Sequence, residues 1–195
     1  MIRNVLRIVL AVLAVHVVVP DAYAQSGFSA AYQYVRMSIA DETVKLPAGF
    51  AVDYARPLMD DGWKVVGAFG WGRRSDDGVL DAYVVNSTFT QLTLAGGVRR
   101  EIRTRTKATP YFQAVAGIVR SRFSATFSGE PAYDESASDP MFEPGAGVAW
   151  AIGRRFAVFG QVDYRRLWPD AGGLLSSYEA VQGFRTSAGA RVRMP

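Results

Sequence analysis

Most of this sequence alternates with a period of two, and this pattern constrains the fold more than any other feature. In the segment 155–167, Phe156 and Val158 occupy even positions, whereas Asp163 and Arg165 occupy odd positions. Successive side chains of a β-strand point to opposite faces, whereas a helix repeats about every 3.6 residues. The alternation therefore predicts strands that have one apolar face and one polar face.

Clusters of Gly, Pro, Asp and Ser divide the sequence into segments of strand length. We predict eight strands, at 27–39, 49–57, 63–74, 87–99, 109–124, 142–152, 155–167 and 180–194. No segment of useful length has a helical period, and no shift in composition marks a second domain. We therefore expect an all-β fold in one domain.

The sizes of the alternating residues indicate which face is inside. In segment 142–152, Gly145 and Gly147 alternate with Val148 and Trp150. Small and charged residues share one face, while large apolar and aromatic residues share the other. This suits a narrow barrel whose lumen is filled by side chains and whose outside is apolar. A soluble, lipocalin-like exported barrel that binds a ligand would need the apolar face inside.

Aromatic residues gather near the ends of the predicted strands, where barrels in membranes carry girdles of amphipathic rings. These residues are Phe28, Phe50, Tyr54, Trp63, Trp71, Phe142, Trp150, Phe156, Tyr164 and Trp168. Their placement predicts two membrane–water interfaces, one at each end of the barrel.

The links between strands alternate in length, as those of an outer-membrane barrel do. The longer links, which are polar, are 40–48, 75–86, 125–141 and 168–179, and the mostly shorter ones are 58–62, 100–108 and 153–154. Asp60-Asp61-Gly62 and Asp76-Asp77-Gly78 are interpreted as turns, and the acidic link that contains Asp139 as a solvated loop. Together these patterns predict an eight-stranded antiparallel up-and-down transmembrane β-barrel.

The N-terminal 24 residues have the features of an export signal. Arg3 and Arg7 precede the apolar run 8–19, and Ala22-Tyr23-Ala24 has the small-x-small pattern of a cleavage site. We predict a signal peptide at 1–24, cleavage between Ala24 and Gln25, and a barrel domain at 25–195. An uncleaved anchor is the alternative, but the apolar run is shorter than the roughly 20 residues that a spanning helix needs.

Several kinds of chemistry are not supported by the composition. His16 is the single histidine, it lies in the predicted signal peptide, and cysteine is absent. Ser-His-acid and Cys-His mechanisms and zinc sites all need these residues. A formal net charge of +4 is too small for a dense nucleic-acid surface. We expect a protein without catalytic residues, bound metal or cofactor, and with no nucleic-acid partner.

Four motifs resemble the small outer-membrane β-barrels of the opacity-protein and OmpA/OmpX type. They are Pro110-Tyr111-Phe112-Gln113, Gly145-Ala146-Gly147-Val148, Val162-Asp163-Tyr164-Arg165 and Gly189. The resemblance implies a location in the outer membrane of a Gram-negative cell and assembly by the barrel-assembly machinery. It implies no shared activity. The chain ends in Met194-Pro195, where family members usually end in an aromatic residue.

Charged residues on the inward face could either conduct or fill the lumen. We expect them to form a structural polar network, made up of Asp53, Lys64, Arg74, Arg99, Glu143, Asp163, Arg165, Arg185 and Arg191. An eight-stranded barrel leaves an interior just wide enough for side chains. We therefore favour a salt-bridged plug, in which Glu143 and Asp163 pair with arginines, over a narrow porin for small solutes.

The functional expectation is a structural or surface-interaction role, carried by the links on the outer side. Lipid and lipopolysaccharide of the outer membrane are the expected partners of a monomeric barrel. Arg120 and Arg122 follow the apolar face of the fifth predicted strand, where they could reach lipopolysaccharide phosphates. Ordinary loop positions are an equally good interpretation of these two residues.

Overall fold

The structure is a computed structural model of the chain. It describes residues 26–39, 42–59, 61–80, 83–127, 130–169 and 180–194. The predicted signal peptide at 1–24 and its cleavage point after Ala24 lie outside the described residues and remain predictions.

Nine strands form a single antiparallel sheet in the described part of the chain. They are β1 (Gly27–Ile39), β2 (Glu42–Leu46), β3 (Ala48–Pro57), β4 (Trp63–Leu80), β5 (Tyr83–Glu101), β6 (Ala108–Phe127), β7 (Glu130–Ala151), β8 (Phe156–Leu167) and β9 (Val181–Arg193). The sheet closes because β1 also pairs with β9, from Gly27↔Arg193 to Ser38↔Gln182. No helix in these ranges is long and apolar enough to cross a membrane.

β2 and β3 are two halves of one barrel strand, because both pair with β1. Tyr32 lies opposite Phe50, and Val35 lies opposite Leu46. The partner thus advances by one residue more than β1, which is the signature of a bulge. Pro47 lies at this break, where its missing N–H costs the ladder nothing. The predicted eight-stranded antiparallel barrel is therefore confirmed.

The stagger of the strands sets the width of the lumen. A path across the paired residues runs through Phe156, Val192, Phe28, Tyr54, Gly67, Gly96, Ala116, Phe142 and Arg166. It returns to β8 ten residues beyond its start, so the shear number is ten. With the usual strand spacing, this stagger gives a tilt of about 40° and a radius of about 8 Å.

Three of the four long links are predicted wrongly, and most of the fourth, 168–179, lies outside the described residues. Residues 42–46 and 48 are strand, and the described residues of 75–86 and 125–141 belong to two long hairpins, β4–β5 and β6–β7. Asp76 and Asp77 lie opposite Ser87 and Asn86 within a strand, not in a turn. Ser, Asp, Glu, Gly and Pro residues interrupt these segments, which imitates the composition of a loop. The backbone ladder does not depend on apolar side chains, so the pairing continues.

The links at the other end agree better with the sequence. The links between strands at this end are 58–62, 102–107 and 152–155. They lie close to the predicted links at 58–62, 100–108 and 153–154. Gly62 has a φ of 95°, which L-residues adopt only with strain. A Cβ there would also collide with the backbone oxygen of Glu101. This turn therefore requires glycine for two reasons: the positive φ, and the lack of space for a Cβ atom.

The two faces of the barrel have the polarity that the alternation predicts. β8 alternates strictly for most of its length, with Phe156 58% exposed and Asp163 fully buried. Exposed aromatic and aliphatic side chains occupy the outside, among them Phe28, Phe50, Leu94, Phe112, Val148, Trp150, Val162 and Phe184. The inside contains the charges. This is the reverse of the arrangement in a soluble, lipocalin-like barrel.

A substitution at Gly189 tests how closely β1 and β9 pack where the barrel closes. It lies opposite Ala31 in the β1–β9 pairing, and an added Cβ would overlap the backbone of Ala30 and Ala31. Gly189→Ala should lower the free energy of unfolding by about 1–3 kcal/mol, because the extra carbon overpacks this contact. Gly160→Ala is the matched control, since nothing lies within 4 Å of its added carbon. Urea titration in lipid vesicles measures both, and equal losses would contradict this account.

Candidate functional site

The polar network in the lumen is built on inward positions of neighbouring strands. Asp163 on β8 lies opposite Arg185 on β9 and opposite Gly145 on β7. A Cβ at Gly145 would overlap the Asp163 carboxylate. The glycine thus provides the space in which this carboxylate lies against the barrel wall.

The centre of the network consists of two carboxylates and two guanidinium groups. Arg165 Nε lies 2.5 Å from Glu143 Oε2, and Arg185 Nη2 lies 2.6 Å from Glu143 Oε1. Arg185 also donates to Asp163 Oδ2, at 3.0 Å. All four side chains are at most 6% exposed. Buried charges are tolerated only when they are paired and hydrogen-bonded, and here the two signs balance.

A second set of ion pairs lies toward the short turns. Glu101 accepts from Lys64 and from Arg191, both at 2.9 Å. Asp53 lies 3.1 Å from Arg99, which is 1% exposed. These pairs join β3, β4, β5 and β9 across the lumen, so they tie together strands that are not neighbours in the sheet.

Glutamine side chains join the two sets into one network. Gln113 accepts from Arg99 at 2.8 Å and donates to Asp163 at 3.2 Å. Gln161 donates to Asp163 at 2.8 Å and accepts from the Tyr111 hydroxyl at 2.8 Å. An amide can donate and accept at once, which makes it suitable for bridging a carboxylate and a cation.

Tyr111 contacts two arginines of like charge. The guanidinium carbon of Arg99 lies 4.9 Å from the ring centroid, and that of Arg191 lies 5.0 Å from it. The face of an aromatic ring attracts cations within about 6 Å. The ring therefore stabilises both guanidinium groups.

An apolar seal closes the lumen above the polar network. It consists of Val35, Met37, Leu46, Ala95, Val115, Val119, Met141, Leu167 and Val181. At the boundary, Arg165 donates to Gln91 at 2.9 Å, and Gln91 contacts Ser121 at 3.4 Å. Sequence reasoning missed the seal, although apolar residues at inward positions, such as Val119 and Leu167, were its signal.

Eight of the nine residues predicted for the lumen belong to this network. Arg74 does not, because it lies on the part of β4 that extends past the barrel and pairs with Asp76 at 2.5 Å. Asp139, predicted in a solvated loop, is fully buried, because β7 continues through this position. The residues that sequence reasoning missed are Gln91, Glu101, Tyr111, Gln113 and Gln161. The uncharged side chains among them give no charge signal in the sequence, and Glu101 lies in the predicted link 100–108.

The packed lumen leaves very little space. A cavity of about 10 Å³ remains beside Asp53, Arg99 and Gln161, which is about the room that one water needs. A larger cavity of about 390 Å³ opens among the short turns, beside Trp63 and Lys64. Within the described ranges, no group of three or more His, Cys, Asp or Glu side chains could hold a metal ion.

Solved structures of outer-membrane proteins share this fold. Neisserial surface protein A superposes with a TM-score of 0.66 at 14% identity, covering 87% of this chain and 97% of its own. Ail, the attachment invasion locus protein of Yersinia pestis, gives a TM-score of 0.62 at 20% identity, covering 89% of this chain and 100% of its own. Ail in complex with the heparin analogue sucrose octasulfate gives 0.60 at 19%, covering 87% and 98%.

No protein-family model matches the sequence, and no curated protein matches it. The likeness to the solved structures therefore concerns the fold. It confirms the predicted architecture: the chain has the fold of the small outer-membrane β-barrels.

A substitution at Glu143 tests whether the polar network in the lumen stabilises the barrel. Glu143→Gln removes the shared partner of Arg165 and Arg185. Leaving buried cations without their partner should cost about 3–5 kcal/mol in the free energy of unfolding, and Asp163→Ala should also destabilise the barrel. Asp134→Asn is the control, because its pair with Arg122 is exposed and should leave the urea midpoint unchanged. A wild-type midpoint for Glu143→Gln would reject a structural role for the network.

Proposed function

We propose that this protein is a non-enzymatic outer-membrane β-barrel that acts at the cell surface, through the hairpins that extend beyond its membrane-spanning part. The observation that carries the proposal is the length of β4 to β7. These strands have 18 to 22 residues, whereas β8 has 12. At a tilt of about 40°, some ten residues per strand span the apolar band of such a barrel.

The outward surface supports a location in the membrane. Trp150 and Phe156 are more than half exposed near the short turns, and Phe142 and Phe184 are similarly exposed toward the other end. In water, such a continuous apolar surface would favour aggregation. In a bilayer the same surface meets acyl chains, and the closed ladder leaves no backbone edge in the hydrocarbon.

The long hairpins form a four-stranded sheet beyond the apolar band. β5 and β6 remain paired as far as Val85↔Phe127, so the two hairpins act as one sheet. On one side, the pairing of β4 with β3 ends at Ala48↔Arg73. Residues 74–80 of β4 therefore form an edge that pairs with no other strand on that side, among the residues described.

This edge is suited to binding an extended polypeptide segment. Main-chain groups of an unpaired edge can add a further strand, a common mode of peptide recognition. Asp76 and Asp77 are exposed on the edge, and charges of this kind prevent uncontrolled pairing between copies. The edge thus favours a partner with complementary basic side chains over a second copy of this chain.

Aromatic side chains on the hairpins provide a further contact surface beside the edge. The rings of Phe123 and Tyr133 pack edge to face with centroids 5.7 Å apart, and Tyr133 is 47% exposed. Exposed aromatic residues are enriched at protein interfaces. Beside them, Arg122 and Asp134 form a two-pronged ion pair, and its hydrogen bonds hold the pKa of the Asp134 carboxyl below its usual value. Both groups of the pair are therefore charged at neutral pH.

Partners of the barrel follow from its location. Outer-membrane lipid and lipopolysaccharide would surround a monomer, and the barrel-assembly machinery would insert it. The similar structures include a surface protein and an attachment invasion locus protein, which supports a role at the cell surface for a chain of this fold.

Shortening one hairpin tests the surface role. Arg74 lies opposite Phe89, so residues 75–88 can be replaced by an Asn-Gly turn without changing the register. Cells that produce the full barrel should adhere to at least one surface coated with collagen, laminin or heparin, and the shortened variant should not. Replacing only residues 81–82 by Asn-Gly is the control, because it keeps the sheet. Equal adhesion of the shortened variant, or no adhesion to any coating by the full barrel, would reject the proposal.

The narrow-porin alternative makes an opposite prediction. Because buried ion pairs and the apolar seal fill the lumen, the folded barrel should give no steady conductance in a planar lipid bilayer. Stable single-channel steps from a protein that has the gel mobility of the folded barrel would favour the porin.

A further inference from the structure

Outward-facing cations occur at one level of the barrel, directly beyond the apolar band. On each of the four strands that run toward the long hairpins, the first outward position past this band is an arginine: Arg36 on β1, Arg73 on β4, Arg120 on β6 and Arg166 on β8. Each follows an outward apolar or aromatic residue by two positions: Tyr34, Trp71, Ile118 and Tyr164 respectively. Lys45 on β2 is a fifth member. We call these five residues the basic belt.

Two members of the basic belt face each other across the sheet. Arg36 lies directly opposite Lys45, and both side chains are exposed. Like charges at opposed positions destabilise a sheet unless something neutralises them. None of the ion pairs found among the described residues includes a member of the basic belt.

Arginines farther out on the hairpins and inside the lumen differ from those of the basic belt because they pair with carboxylates. Farther out on the hairpins, Arg74 pairs with Asp76 and Arg122 pairs with Asp134. Inside the lumen, Arg185 has two carboxylate partners. The basic belt lies at the level where the apolar band ends, which is where lipid headgroups lie, and among the described residues none of its members is in an ion pair.

Neutral polar side chains complete one sector of the belt. Gln182 on β9 lies between Arg166 on β8 and Ser38 on β1. Arg36 and Lys45 occupy the adjacent strand pair at a similar height. Below them, the rings of Tyr164 and Phe184 pack 5.6 Å apart. This sector combines donors for an anion with an aromatic base that can contact the first carbons of acyl chains.

We infer that the basic belt binds the phosphate groups of outer-leaflet lipopolysaccharide, with its principal site at Arg36, Lys45 and Arg166. A guanidinium group can donate two parallel hydrogen bonds to a phosphate, and an ammonium adds a third donor. A phosphate between Arg36 and Lys45 would turn their repulsion into a bridged contact. The inference rests on the proposed location in the outer membrane and deepens it by naming the lipid group that the barrel recognises.

Diphosphoryl lipid A is the probe that tests this site. The full barrel, folded in phosphocholine micelles, is titrated with diphosphoryl lipid A while its unfolding temperature is followed by the shift in gel mobility. A ligand that binds only the folded state raises this temperature. Each surface cation near an anionic membrane contributes about fivefold in affinity. The double variant R36Q/K45Q should therefore need about thirtyfold more lipid A for half-saturation.

Two controls make the result decisive. R154Q/R155Q removes two exposed cations from a turn at the opposite end and should leave the titration unchanged. Lipid A without its phosphates should raise the unfolding temperature of neither the wild type nor the variants. An unchanged titration for R36Q/K45Q, an equal loss for R154Q/R155Q, or equal stabilisation by the dephosphorylated lipid would overturn the inference.

The result of the lipid A titration can be distinguished from the result of the adhesion assay. R36Q/K45Q leaves the residues of both long hairpins untouched, so adhesion through the hairpins and binding of lipid A are measured on different parts of the barrel. Binding of lipid A by a barrel that fails every adhesion assay would retain this inference and reject the surface role. Fractionation of the protein away from the outer membrane would reject the common premise of both.

Discussion

Closure of the sheet by β1 and β9 is the contact on which the rest of the structure depends. In hydrocarbon, an unpaired backbone N–H or C=O costs several kcal/mol, so an open edge cannot remain there. The pairing from Gly27↔Arg193 to Ser38↔Gln182 removes that edge. Once the sheet is closed with eight strands and a shear number of ten, the width of the lumen follows, and with it the volume that inward side chains must fill.

The filling of the lumen explains why charges lie inside an otherwise apolar protein. Glycine leaves room for the side chains of a neighbouring strand, as Gly145 does for Asp163. Those side chains must be paired, because a buried charge without a partner costs more than the pair contributes. Glu143 between Arg165 and Arg185 meets this condition. The apolar seal above them then keeps solvent away from the network, which strengthens each of its ion pairs.

Much of this protein could be predicted from its amino-acid order because strand periodicity is a local property. The strand positions, the inward placement of Asp163 and Arg185, and the turn at 58–62 all follow from alternation and turn chemistry. The extent of the hairpins could not be predicted in this way. Strand pairing beyond the membrane does not require a continuous apolar face, so segments 75–86 and 125–141 have the composition of loops although their described residues are strand.

The inward residues can be identified from the amino-acid order alone, since each strand position has one of two orientations. The contacts between inward residues cannot, because contacts across the lumen depend on the register of all eight barrel strands at once. Glu101 thus pairs with Lys64 and Arg191, whereas Arg74, inward by the same alternation, lies past the barrel beside Asp76. Local order specifies the face of each residue, but the stagger around the closed sheet specifies its height and therefore its partner.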